Sequence, residues 1–214
     1  MRTEEKIILD LCGGTGSWSK PYKEAGYDVR VITLPEYDVL TYEPPKNVYG
    51  ILAAPPCTEF SIAKNRDIQR NLDDGMEIVN ACLNIILKCK PIFWALENPF
   101  GLLQQFLGKP KLTFQPWWYG DAWNKKTSIW GEFKTPIRHY NNWDDVPKIT
   151  ELYTRSYRKI PSMAQQHFTT HAHLIPQLQS YLHKCENGKT AVNDAAFRAI
   201  TPPSFARAFF MENQ

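Results

Sequence analysis

The amino-acid sequence predicts an α/β fold, a mostly parallel sheet with helices on both faces and a small loop-rich insertion. Three observations predict it. Short apolar runs alternate with a helical pattern, as parallel strands and their crossovers do. Three unusual loops, CGGTGS, PPCTEFS and ENPFG, follow successive apolar runs, where such sheets place their chemistry. At 214 residues, 43% apolar and 22% charged, the chain can bury one substantial core.

The elements follow in order. Ile7 to Leu11 (IILDL) reads as a strand ending near an acid, CGGTGS as a glycine turn, and WSKPYKEAGY as a helix stopped by Gly26. DVRVIT (28–33) and VYGILAA (48–54) give two more strands. Leu72, Met76, Val79, Leu83 and Ile86 recur every three or four residues behind Asp73 and Asp74, which predicts a helix over 72–88. Pro91 then opens the apolar run PIFWALENP. From about 133 to 189 periodicity weakens, so this stretch reads as an insertion. Pro202 and Pro203 are placed to start a final helix.

Bulk features exclude several classes. The acidic start MRTEEK is not a signal peptide, and no apolar run has the 18 or so residues a membrane span needs, so a cytoplasmic protein without membrane contact is expected. Five cysteines without a CxxC pair suggest neither a disulfide framework nor a zinc ribbon. His167, His171, His173, His183 and Cys185 lack the companions of a zinc site, and no metal is expected. Residues 1–100 carry 11 basic against 14 acidic side chains, and residues 101–214 carry 14 against 8. The basic second half, rich in Trp and Tyr, fits a nucleic-acid partner, and equally a solvated basic face.

The three loops hold the candidate chemistry. Gly13, Gly14 and Gly16 let the backbone turn sharply and approach a ligand, although a tight turn without ligand has the same signature. Pro55 and Pro56 stiffen the approach to Cys57, which a nucleophile requires and a structural cysteine in a turn tolerates. Glu97 arrives where its strand should leave the sheet; partial desolvation there raises a carboxyl pKa and makes it a proton donor, with a turn cap as the alternative.

Taken in order, LDLCGGTGSW, AAPPCTEFS, ALENP, NKKTSIWG and AITPPSFARAFF resemble the motifs of the cytosine-C5 DNA methyltransferases. The resemblance covers most of residues 7–131 and then 191–210, and the short middle segment looks most like the compact versions found in phages and mobile elements. It implies a Rossmann-like methyltransferase core (1–132), a small target-recognition insertion (133–190) and a C-terminal return (191–214), in a monomer. It implies that Cys57 attacks C6 of a flipped cytosine, that Glu97 binds and protonates or polarises the ring, and that S-adenosyl-L-methionine supplies the methyl group.

By the same resemblance, Asp10, Leu11, Cys12, Gly14, Gly16, Trp18, Glu36, Asp38 and Pro56 stand on the cofactor side, and Ser61, Asn98, Lys125 and Ser128 on the substrate side. The family's Q-x-R-x-R appears here as Asn124 to Ser128, with Lys126 as the catalytic cation in place of the first arginine and Ser128 in place of the second. Cys12 replaces the usual Phe against adenine. Arg138, Arg155, Arg158 and Lys159 are the expected phosphate contacts. RNA as substrate, and a relative that binds nucleic acid or cofactor without turnover, are the rival readings.

Overall fold

The computed structural model describes residues 2–62, 64, 67–149, 160–162, 175, 178, 183–184, 190–191 and 198–214. Arg155, Arg158, Lys159, His167, His171, His173 and Cys185 lie outside these residues, as does the side chain of His183.

A six-stranded sheet forms the centre. Its strands are β1 (Ile7–Leu11), β2 (Asp28–Ile32), β3 (Val48–Ala53), β4 (Phe93–Pro99), β5 (Leu112–Phe114) and β6 (Thr127–Glu132), in the order β2-β1-β3-β4-β6-β5. β2, β1, β3 and β4 run parallel. β6 is antiparallel to both β4 and β5, so the sheet is mixed rather than mostly parallel. The reason is the connection: between β5 and β6 the only regular element is the single turn Pro116–Trp118, too short for the crossover a parallel neighbour needs. A separate pair, β7 (His183–Lys184) and β8 (Thr190–Ala191), is antiparallel.

Helices cover both faces, as expected. On one, α2 (Leu72–Cys89) buries Val79, Cys82, Ile85 and Ile86 against Leu9, Leu11, Ile51, Ala53 and Leu96. The expected helix 72–88 is thus present; the Asn71 side chain accepts from the Asp74 N–H at its start, and Lys90 ends it in a left-handed conformation. On the other face, Trp18, Tyr22 of α1 (Lys20–Glu24), and Phe205 and Phe209 of α4 (Pro203–Glu212) pack on Ile8, Leu52, Phe93, Ala95 and Ile129. Alternate residues of each strand serve opposite cores. The short α3 (Gln104–Leu107) follows β4.

Two local differences matter. The helix read in WSKPYKEAGY shrinks to five residues, too short for its dipole to hold an anion. Glu97 lies inside β4, opposite Ile129, and is not a cap at its end.

The C-terminal segment is tied to the core by polar contacts. Asp121 is buried and accepts from the N–H and Oγ of Ser204 at 3.1 and 3.0 Å, fastening the start of α4. Ser17 Oγ accepts from the Thr201 N–H at 2.8 Å, and Tyr22 donates to the Asn213 carbonyl at 3.1 Å.

Candidate active site at the carboxyl ends of the strands

Register brings the three sequence loops together. Leu11 pairs with Ala53, and Ala53 pairs with Leu96, so the chain leaves β1 and β3 beside the point where β4 reaches Glu97. The connection from β1 runs to β2 and the one from β3 runs the other way to β4, so the switch point of the sheet lies between the glycine turn and the proline loop, where such sheets place their ligands.

The glycine turn is shaped by its backbone. Gly14 and Gly16 adopt left-handed conformations, with φ of 52° and 67°. A Cβ on Gly13 would lie 2.4 Å from Asp10 Cγ, so only glycine fits over that carboxyl. Asp10 accepts from Ser19 Oγ at 2.5 Å, and burial raises its pKa to about 6 against that bond.

Asp10 and Leu11 are fully buried, and Trp18 is 2% exposed with its ring on Phe205 and Phe209. The resemblance puts these three on the cofactor side; in the fold their side chains are buried, and the Asp10 carboxyl lies against Gly13. β1 is central and covered on both faces, so what reaches the surface is the backbone from Cys12 to Gly16. Cys12 itself is half-buried, its N–H bonded to the Ile32 carbonyl at 2.8 Å. Glu36 and Asp38 are exposed on the connection after β2, where Asp38 Oδ1 accepts from the Leu40 N–H at 3.0 Å. Asp38 is close enough to bear on the Cys12 thiol.

The proline loop is clamped. Pro56 is exposed and Cys57 half-buried. The Cys57 carbonyl accepts from Phe60 and Ser61 N–H groups at 3.0 and 2.8 Å, closing a turn directly behind the thiol. Arg70 donates to the carbonyls of Glu59 and Ser61 at 2.6 and 2.9 Å. Ser61 bridges to Gly101, whose missing Cβ leaves room for the Phe60 carbonyl. Asn98 joins the loop to β4 by donating to the Pro55 carbonyl at 3.0 Å.

Glu97 is 6% exposed, and its Oε1 has no hydrogen-bond partner. Lys125 Nζ stands 4.0 Å away and donates to the Ile200 carbonyl at 3.1 Å. Burial pushes the Glu97 carboxyl up, and Lys125 opposes that. Cys57 is likewise raised by burial and by the Glu97 charge, with Lys125 again opposing. A thiol, a carboxyl and an ammonium group therefore share one electrostatic neighbourhood.

Two expectations are corrected. Lys126 is exposed and sits 3.6 Å over the Phe100 ring, so Lys125 is the lysine beside Glu97. Ser128 is 1% exposed, opposite Asn98 in the sheet and 3.3 Å from Thr113 Oγ1, so its side chain is engaged inside the sheet. Arg138 stacks 4.1 Å over Trp118 and donates to the carbonyls of Tyr140 and Asn141, which makes it a local clip.

Arg70 carried no motif signal, and only the folded loop reveals its role. Two clefts, of about 420 Å³ beside Val39, Tyr42 and Asn84 and about 610 Å³ beside Ile137, Arg207 and Met211, lie elsewhere, and Cys57 lines neither. Among the described residues no three His, Cys, Asp or Glu gather to hold a metal, and no helix is long and apolar enough to cross a membrane.

No family model matches the chain, and no curated protein matches it. Among solved structures it is similar to a candidate DNA modification methyltransferase encoded within an Escherichia coli prophage, at 16% identity and a TM-score of 0.45. The match covers 59% of this chain and 46% of that one, so the chain spans less than half the length of that protein. So loose a likeness carries no functional argument.

Proposed function

We infer that the site defines a group-transfer enzyme using a thiol nucleophile, and more particularly an S-adenosylmethionine-dependent methyltransferase acting on C5 of cytosine in DNA. The observation that carries the reading is the convergence of Cys57, Glu97 and Lys125 at the ends of β3 and β4. The motif resemblance supplies the substrate, and the geometry is compatible with it.

The chemistry divides among the side chains. Cys57 must lose its proton before its sulfur bonds to C6. Glu97, whose carboxyl burial pushes up, in its protonated form donates to N3 while its other oxygen accepts from the exocyclic amine, a pairing that satisfies the orphaned Oε1. Lys125 stabilises negative charge as it spreads over the ring and favours the Cys57 thiolate. C5, made electron-rich by addition at C6, takes the methyl group; transfer of the C5 proton to water then re-forms the C5–C6 double bond and expels the thiolate. Flipping the base from the stack costs a few kcal/mol, on the order that DNA contacts return. A half-buried thiol suits a macromolecular substrate that closes over it.

The residues present fit the cofactor. The Gly13, Gly14 and Gly16 turn leaves open space at Gly14, Pro56 is exposed on the neighbouring loop, and Asp38 lies close by. The backbone of this turn with Pro56 and Asp38 would hold S-adenosylmethionine, which supplies an electrophilic methyl group. Glu36 is a further polar contact on the same connection.

The test uses labelled S-adenosylmethionine and an oligonucleotide containing 5-fluorocytosine. Fluorine does not leave as the C5 proton does, so the protein should form a covalent complex through Cys57. Cys57→Ala should form none and lose transfer by about a thousandfold or more while still binding cofactor. Methylation by Cys57→Ala, or a wild-type protein that binds cofactor yet methylates no cytosine polymer, overturns the reading. Competing DNA and RNA substrates distinguish the two polymers.

A further inference from the structure

Cys12 is an unusual residue for its place. It holds φ of 55°, a left-handed conformation that a side chain resists, in a turn otherwise built from glycines. Its sulfur lies 4.0 Å from that of Cys82, which comes from α2, 70 residues away, and is fully buried. The thiols therefore touch across the gap between the glycine turn and the helix beneath it. The mechanism above uses neither.

We propose that Cys12 and Cys82 form a reversible dithiol–disulfide couple, a modification site for peroxide oxidants that controls ligand access at the glycine turn. Its effect on the cofactor rests on the function proposed above; the oxidation chemistry does not. Cys12 reacts first, because it is half-buried while Cys82 is sealed. The Cys82 thiol, hydrogen-bonded to it, holds the Cys12 thiol below its ordinary range, against burial and the Asp10 and Asp38 charges. The same contact pushes Cys82 up.

Peroxide oxidises the Cys12 thiolate: an S–O bond forms, the O–O bond breaks and hydroxide leaves. Cys82 sulfur then attacks Cys12 sulfur; the S–S bond forms, the S–O bond breaks, and water departs with the Cys82 proton. Two thiols and one peroxide thus give one disulfide and two waters. A disulfide S–S length is about 2.05 Å, so the sulfurs must close by roughly 2 Å from their present separation. α2 has 18 residues and is packed on the sheet, so the turn is what moves. Such transient, sensing disulfides are those that reducing compartments tolerate.

The full chain is treated with graded hydrogen peroxide, blocked with an alkylating reagent and digested for mass spectrometry. A Cys12–Cys82 linked peptide that dithiothreitol removes is expected. Cys12→Ser and Cys82→Ala should both lack it, and Cys57→Ser should retain it. S-adenosylmethionine affinity, by equilibrium dialysis, should fall by roughly tenfold on oxidation, return on reduction, and fall by clearly less in peroxide-treated Cys82→Ala, which cannot close the disulfide. No linked peptide at any peroxide level in folded wild-type protein overturns the couple. A linked peptide with unchanged affinity overturns its control of the turn. A reduced protein that binds no S-adenosylmethionine while still forming the peptide refutes the proposed function and leaves the couple standing.

Discussion

The turn after β1 and the loop after β3 start side by side, yet they are built on opposite plans. The first dispenses with side chains: Gly13 fits only because it has none, and Gly14 and Gly16 take left-handed conformations. The second is crowded with fastenings, from Pro55 and Pro56 to Arg70, Gly101 and Asn98. A turn that must lie close to a ligand offers bare backbone. A loop that must aim one atom cannot leave that atom free to swing, since misorientation is paid in rate. On the proposed function, the difference assigns binding to one loop and aiming to the other.

After removal of Cys57 itself, the largest effect should come from the cation beside the proposed nucleophile. Lys125→Ala should lower kcat by about a hundredfold. It should also move the rising limb of the pH–rate profile to higher pH, because Lys125 opposes the raised pKa of Cys57. Lys126→Ala removes only a contact over Phe100 and should change the rate by no more than about threefold. Equal losses in steady-state assays would show that the lysines share the work.

The comparison itself is tested next. Gly13→Ala forces a Cβ against Asp10, which is fully buried, at a cost of about 1–3 kcal/mol. It should raise KM for the cofactor more than it lowers kcat. Arg70→Ala removes two charge-assisted bonds from the loop behind Cys57, also worth about 1–3 kcal/mol. It should lower kcat and leave cofactor affinity alone. The same response from both variants would merge the two loops into one unit.

The smallest effect is on stability. Burial raises Asp10 to about 6 and Asp121 to about 7, and lifts Glu97 as well. A carboxyl with a raised folded pKa binds its proton more tightly when folded. Stability is therefore fullest below the unfolded value, 3.8 for Asp, and falls as pH rises toward the folded one. Thermal melts should show Tm falling from pH 5 to 7.5. In Asp121→Asn part of that slope should vanish, by about 2–4 °C, the shift of about 1 kcal/mol in a chain of this size.

Much of this was legible before folding. The runs 7–11, 28–33 and 48–54 match strands within a residue, and 72–88 matches α2, because burial on a strand or helix face leaves its own period in the sequence. The loops carrying Gly13 to Gly16 and Cys57 were recognisable from residue type, since a tight turn and a stiff approach need glycine and proline; Glu97, read where its strand leaves the sheet, lies inside β4.

Which way neighbouring side chains point was a different matter. Lys125 and Lys126 are adjacent and chemically alike, and only the pairing of β6 with β4 sends one toward Glu97 and the other over Phe100. The same pairing buries Ser128, and the central position of β1 encloses Asp10 and Leu11. The sequence by itself determined the elements and the chemical identities at their ends, because those are local properties. The tertiary structure decided which of them meet, because register and layer order depend on contacts between segments many residues apart.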